Sequence, residues 1–168
     1  LLQKLSLRNP ISDRYDHSMD HQHMLEKYHS CSISFINESK RISGAALAQS
    51  IDGEWSAAFV IHHIADAEIQ FGVRYANSLA EDNPTIVPFD EEKFPIGLQY
   101  NNRSVATSLA SFAATHEMNY EILKNASGAD WQRISTHPQR GAVTLLDLVH
   151  LSANHIESHI AQLKKAAI

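Results

Sequence analysis

Two segments far apart in the chain carry histidines at spacings that suit chemistry. "WSAAFVIHHIADAEIQF", residues 55–71, sets His62 and His63 side by side in an apolar pattern, with Asp66 and Glu68 just beyond. "HIESHIAQ", near the end, holds His155 and His159 four residues apart, with Gln162 following. On a helix of 3.6 residues per turn, a four-residue spacing stacks two imidazoles on one face, so that one helix offers two nitrogen ligands to one metal. The competing reading is a histidine satisfied by ordinary hydrogen bonds. A buried neutral imidazole needs partners at both nitrogens, and either His62 or His63 can donate to Asp66, four or three residues on. A metal on one nitrogen and an acceptor on the other meets the same demand. Spacing alone leaves both readings open.

The remaining candidates are weaker. His116 sits in a third apolar segment and can approach the interior, while His137 precedes Pro138 in a glycine-containing loop and can line a site mouth. His17, His21 and His23 fall in a polar N-terminal stretch, and His29 and His150 read as surface or packing residues. No phosphate loop, dinucleotide fingerprint, nucleophile elbow or HExxH motif is present. The single cysteine, Cys31, rules out an internal disulfide framework and a Cys-rich zinc ribbon, and reads as a small packing residue.

Four helical segments must position these residues, and no convincing strand is apparent. The first is expected from about Met19 to Gln49, with Leu25, Tyr28, Ile33, Ile36 and Ile42 inward, ended by Asp52-Gly53. The second starts at the N-cap Ser56 and runs to about Leu79, with Phe59, Val60, Ile64, Ala67, Phe71 and Tyr75 at helical intervals. Pro84, Pro88 and Pro95 then forbid helix in "EDNPTIVPFDEEKFP", a connection long enough to suggest function or mobility. A third helix is expected from Ser104 to Asn125, a further connection through Thr144, and a last helix from the Thr144 cap to about Lys165. Four helices with long connections after the second and third predict an all-α four-helix bundle. On the last helix Leu148, Ser152, His155, His159 and Gln162 follow a line beside the apolar stripe, so the histidine pair borders the interior. At 168 residues one domain is expected, residues 19–168, with residues 1–18 as an N-terminal extension.

Charge narrows the partners. The net charge is −5 and the 14 Lys and Arg form no block, so the basic face that nucleic acid needs is missing. No apolar run approaches the roughly 18 residues that span a bilayer. The start "LLQKLSLRNPISDRY" lacks the order of a signal peptide, which makes a cytoplasmic protein the expectation.

"WSAAFVIHHIADAE" resembles the tryptophan, apolar helix and "HHLAD" signature of the DinB/YfiT-like superfamily of metal-binding four-helix bundles, and "HIESHIAQ" resembles its C-terminal HxxxH followed by Gln. "EDNPTIVPFDEEKF" and "THPQRGAVTL" are similar to the connections of the YfiT-like branch, and the resemblance covers about Leu25 to Lys165. It implies that His63, His155 and His159 bind a divalent metal, commonly zinc or nickel, with His62 a neighbour. The sequence departs at Glu68, where relatives of that branch can carry another histidine. Activities implied by the family are thiol S-transfer with low-molecular-weight thiols such as bacillithiol or mycothiol, thiol-dependent isomerisation, and metal-dependent hydrolysis.

These readings yield three expectations. The leading one is metal-dependent thiol S-transfer to a small-molecule electrophile, with Asp66 orienting a ligand histidine and Gln162 hydrogen-bonding near the site. Cys31 being the only cysteine, the thiol would come from a cosubstrate. The second is hydrolysis by a water activated at the metal, with His62 or His116 as proton shuttle. The third is a non-catalytic metal-binding bundle, serving for example in a homodimer.

Overall fold

The structure, a computed structural model, describes residues 21–50 and 55–166. The expected extension 1–18, the helix start at Met19 and the Asp52-Gly53 break all lie outside the described residues.

Four long helices build the molecule: α1 (His21–Arg41), α2 (Ala57–Ala80), α4 (Val105–Lys124) and α5 (Leu145–Ala166), with a one-turn α3 (Phe94–Gly97) in the proline-rich connection. Helix α1 packs on α5 and α2 on α4, while α2 also meets α5, closing the bundle. The starts follow local chemistry. Ser56 accepts from the Phe59 amide at 3.3 Å and Ser104 from the Thr107 amide at 3.2 Å, each satisfying a donor that the first helical turn leaves free. At α5, Asp147 Oδ2 accepts from the Thr144 amide and hydroxyl at 2.8 Å while the Asp147 amide donates to Thr144 Oγ1 at 3.1 Å, a reciprocal cap.

The core is one continuous cluster. Tyr28, Phe35, Tyr75, Phe112, Leu123, Trp131, Leu145, Leu148 and Val149 are all fully buried. On α1 the inward stripe is Met24, Tyr28, Cys31 and Phe35, at intervals of four, three and four; Ile33, expected inside, is 47% exposed. Ile33 falls two residues from both Cys31 and Phe35, about 200° round the helix from each. Gly72 lets α4 come close: a Cβ there would lie 2.5 Å from Asn119 Oδ1.

The connection before α5 holds strands that the sequence reading did not anticipate. β1 (Ile134–His137) and β2 (Gly141–Thr144) pair antiparallel, Ser135 opposite Val143 and His137 opposite Gly141. Each strand has four residues and buries only one, a serine and a valine, so there was no hydrophobic alternation to read. Gly141 turns the hairpin at φ +74°, where a side chain would be strained.

The hairpin clamps the proline-rich connection. The Ile86 amide donates to the Thr136 carbonyl and the Thr136 amide to the Pro84 carbonyl, both at 2.9 Å, and Ser78 meets Ser135 through their hydroxyls at 2.7 Å. The connection is thereby held along α2, which carries Phe89 and Glu91 toward the histidines.

Candidate functional site

Helices α2 and α5 bring His63, His155 and His159 together at their Nε2 atoms. His63 Nε2 lies 2.9 Å from His155 Nε2, which lies 3.1 Å from His159 Nε2. The rings meet at steep angles, 89° between His63 and His155 and 81° between His155 and His159, so their edges converge on one point. Two of the ligand atoms come from one face of α5, as the four-residue spacing requires, and the third from α2 across the bundle.

Local contacts set which nitrogen faces the centre. His159 Nδ1 donates to Gln162 Oε1 at 2.8 Å, one turn along α5, which leaves its Nε2 with a bare lone pair. His63 is buried, its Nδ1 finds no hydrogen-bond partner, and Trp55 packs edge-on against its ring at 5.0 Å. Burial, then the neighbouring His159, pushes the His63 pKa down to about 3. Burial followed by His159 and His63 holds His155 well below the ordinary range, and burial lowers His159. All three are therefore neutral near pH 7. Three neutral imidazoles cannot hydrogen-bond one another in a ring through Nε2, because a shared proton links only two nitrogens. At least two lone pairs thus point at a common centre, and a cation is the group that satisfies them together. This trio is the set of ligating side chains, among the described residues, able to hold a metal ion.

Glu91 stands at the mouth. Its Oε2 lies 3.7 Å from His63 Nε2, beyond hydrogen-bond range, with the side chain 62% exposed. Partial burial, then Glu92 and Asp90, raises its pKa above the usual carboxylate value. Phe71 and Phe89 complete the wall, 6.5 Å from the His155 and His63 rings respectively. The sequence reading missed Glu91 as an individual; the only signal was the length of the connection that carries it.

The other named residues gather elsewhere. His62 Nδ1 meets Ser108 Oγ at 2.8 Å and its ring packs on Tyr100 at 5.3 Å. Asp66 was expected to orient a ligand histidine; instead its Oδ2 accepts from Tyr100 and from Arg103, each at 2.7 Å. Two better-placed donors, one of them charged, have taken the carboxylate, and Arg103 also reaches Ser108 Oγ at 3.1 Å. Asp66 and His62 therefore fasten the connection before α4 onto α2.

His116 lies in a further buried network. Its Nδ1 meets Ser32 Oγ at 2.9 Å and Glu68 Oε1 at 3.3 Å. Glu68 also accepts from Tyr28 and, at 2.9 Å, from Asn119. None of these contacts of His62, Asp66 or His116 reaches a histidine of the trio. Gln162 does. Glu68 stands where the resemblance allowed a histidine, and in this chain it serves the α1–α2–α4 contact.

Comparison with solved structures places the fold among known ones. YfiT from Bacillus subtilis, described as a candidate metal-dependent hydrolase with an unusual four-helix bundle topology, superposes with a TM-score of 0.81 over 91% of this chain and 89% of its own, at 21% identity. A mycothiol-dependent maleylpyruvate isomerase matches at 0.73 over 88% of this chain and 62% of its own, at 12% identity. At such identities the likeness is one of fold. In sequence, a protein of Oceanobacillus iheyensis named as a candidate metal-dependent hydrolase is 30% identical over 111 residues, which span 66% of this chain and 64% of the relative. The model of the DinB superfamily matches residues 40–163, a stretch that holds all three converging histidines together with α2, α4 and most of α5. The chain belongs to the DinB superfamily.

Proposed function

We propose that this protein is a metal-dependent thiol S-transferase that joins the sulfur of an intact small external thiol to an electrophilic small molecule, the thiol losing its proton and the electrophile its leaving group. The observation that carries the proposal is the convergence of His63, His155 and His159 through lone pairs no protein donor can satisfy together. These three would hold a divalent ion, zinc or nickel suiting three imidazoles, with Glu91 the nearest carboxylate. When bound, the ion supplies Lewis acidity that lowers the pKa of a coordinated thiol or water.

The chain's own groups do the rest. Gln162 holds the His159 tautomer from its far nitrogen. Glu91, whose Oε2 lies 3.7 Å from His63 Nε2 and whose pKa is raised, is the carboxylate that would take the proton released from the nucleophile. Trp55, Phe71 and Phe89 keep bulk water from the histidine edges. Cys31, buried in the core, is not available as the nucleophile, so the thiol comes from solution.

A second reading, hydrolysis with water as nucleophile, is favoured by that same Glu91, since a general base beside the trio serves water equally well. One assay separates the two. Metal-loaded protein is offered a chloro-aromatic electrophile and ester substrates, with and without small thiols. Thiol-dependent conjugate, lost in His155→Ala and after chelation, is the expected result. Thiol-independent ester turnover selects hydrolysis, and conjugation that survives both His155→Ala and chelation overturns the metal-centred mechanism.

A further inference from the structure

Arg74 is a guanidinium with no carboxylate partner among the described residues. It lies on α2 eleven residues beyond His63, about 16 Å along the axis, and helical side chains lean back toward the N-terminus. That lean takes the group over Phe71, 5.0 Å from the ring centre, and Phe89 at 5.6 Å. Each of those rings is itself 6.5 Å from a histidine of the trio, Phe71 from His155 and Phe89 from His63. Arg74 thus stands one aromatic ring away from the reactive centre on two sides.

Its hydrogen-bonding capacity is almost unused. Of five N–H donors, one reaches the Val87 carbonyl at 3.4 Å, while Nε is buried with no partner. No carboxylate pairs with it among the described residues. Burial lowers its pKa, the Tyr75 phenol acts the other way, and Arg140, a second cation on the hairpin turn, lowers it further. His137, on the same hairpin, is likewise depressed by burial, then by Arg140 and Arg74. Arg74 as a whole is half-buried, but a buried guanidinium nitrogen such as its Nε ordinarily has a partner. Here Arg74, Arg140 and His137 bear on one another with no carboxylate paired to Arg74 among the described residues, and Arg74 lines a small groove with Gln70, Asn77, Thr85, Val87 and Ser135.

We propose that Arg74, supported by Arg140 and His137, forms a carboxylate-binding subsite that anchors the anionic end of the molecule whose other end reaches His63, His155 and His159. The two phenylalanine faces hold the guanidinium plane, so its edge presents the parallel N–H pair that a planar carboxylate accepts bidentately. The loop histidine His137 acquires a role here that the trio did not give it. The carboxylate can belong to the thiol or to the electrophile. The subsite deepens the enzyme reading given above, yet it can be tested without it.

The first experiment uses the full chain treated with chelator. Succinate is titrated against sodium chloride at matched ionic strength, following amide shifts by NMR. Saturable succinate binding is expected, weakened about tenfold or more in Arg74→Gln, the usual worth of a charge-assisted contact, and two- to threefold in Arg140→Gln. Circular dichroism checks that each variant is folded. Absence of saturable binding, or equal binding by folded Arg74→Gln, overturns the subsite. If Arg74→Gln does not fold, unchanged binding by Arg140→Gln overturns it instead. Because no metal is involved, these outcomes are independent of the reaction assay.

The second experiment assigns the source. Cobalt-loaded protein is titrated with mercaptosuccinate and with 2-mercaptoethanol, following the sulfur-to-cobalt absorption band. A preference of about tenfold for mercaptosuccinate that disappears in Arg74→Gln puts the carboxylate on the thiol. Equal affinities, with Arg74-dependent succinate binding intact, put it on the electrophile. A mercaptosuccinate preference that persists in folded Arg74→Gln counts against the subsite.

Discussion

Gln162 shows how one side chain decides what a histidine can do. With Nδ1 of His159 donating to its amide oxygen, the lone pair on Nε2 is committed to the centre. Gln162→Ala frees the ring to rotate and to change tautomer, and partners of this kind are worth about 10- to 100-fold in metal affinity. That loss, with the fold unchanged, is expected in a chelator-competition titration. Cys31 makes the opposite point. It is buried, and burial, then the Glu157 charge, pushes its thiol above the ordinary value. Because the thiolate is the reactive form, Cys31 in folded protein should label slowly with an aromatic disulfide reagent at pH 8 and faster as pH rises or denaturant is added. Cys31→Ser should leave any thiol-dependent turnover within about twofold of the parent, an expectation that rests on the cysteine being inert rather than catalytic; a large loss would point to an internal nucleophile.

At the scale of elements, polar networks rather than apolar faces fix how α1, α2 and α4 meet. Glu68 is 2% exposed and accepts from Tyr28, Asn119 and His116 on two other helices. Asn119 in turn packs where Gly72 leaves room, so the contact needs that glycine. His116→Ala removes one hydrogen-bond partner of a buried carboxylate and should destabilise by about 1–3 kcal/mol in urea unfolding, the cost of leaving a buried polar group short of a partner. Metal content should be unchanged, which separates this residue from the trio. The network of Asp66, Tyr100, Arg103, Ser108 and His62 does the equivalent work for the connection leading into α4.

The whole molecule is an arrangement in which α2 and α5 can be tied together by an ion. A metal bound only by the folded state stabilises it by mass action, about 2.7 kcal/mol at a free concentration one hundred times Kd. Chelation should therefore lower the melting temperature by several degrees, zinc or nickel should restore it with concentration dependence, and His155→Ala should abolish the response. Much of this molecule was legible before any coordinates. The four-helix architecture followed from periodicity and caps: α4 begins and ends where Ser104 and Asn125 indicated, and Ser56 and Thr144 cap α2 and α5. The pairing of His155 with His159 is a property of one helix and needs nothing else, because a four-residue step returns to the same face. Sequence likewise determined that Cys31 is the single cysteine of the chain. What only tertiary structure decided are relations between residues distant in the chain. Asp66 lay within reach of either adjacent histidine, yet bonds to Tyr100 and Arg103, which the connection before α4 delivers from 34 and 37 positions away. The meeting of His63 with His155, 92 residues apart, the approach of Glu91, and the unpaired state of Arg74 depend on how helices and a clamped loop pack. Local periodicity encodes which way a side chain faces along its own helix; which partner waits there is set by the long-range packing of the bundle.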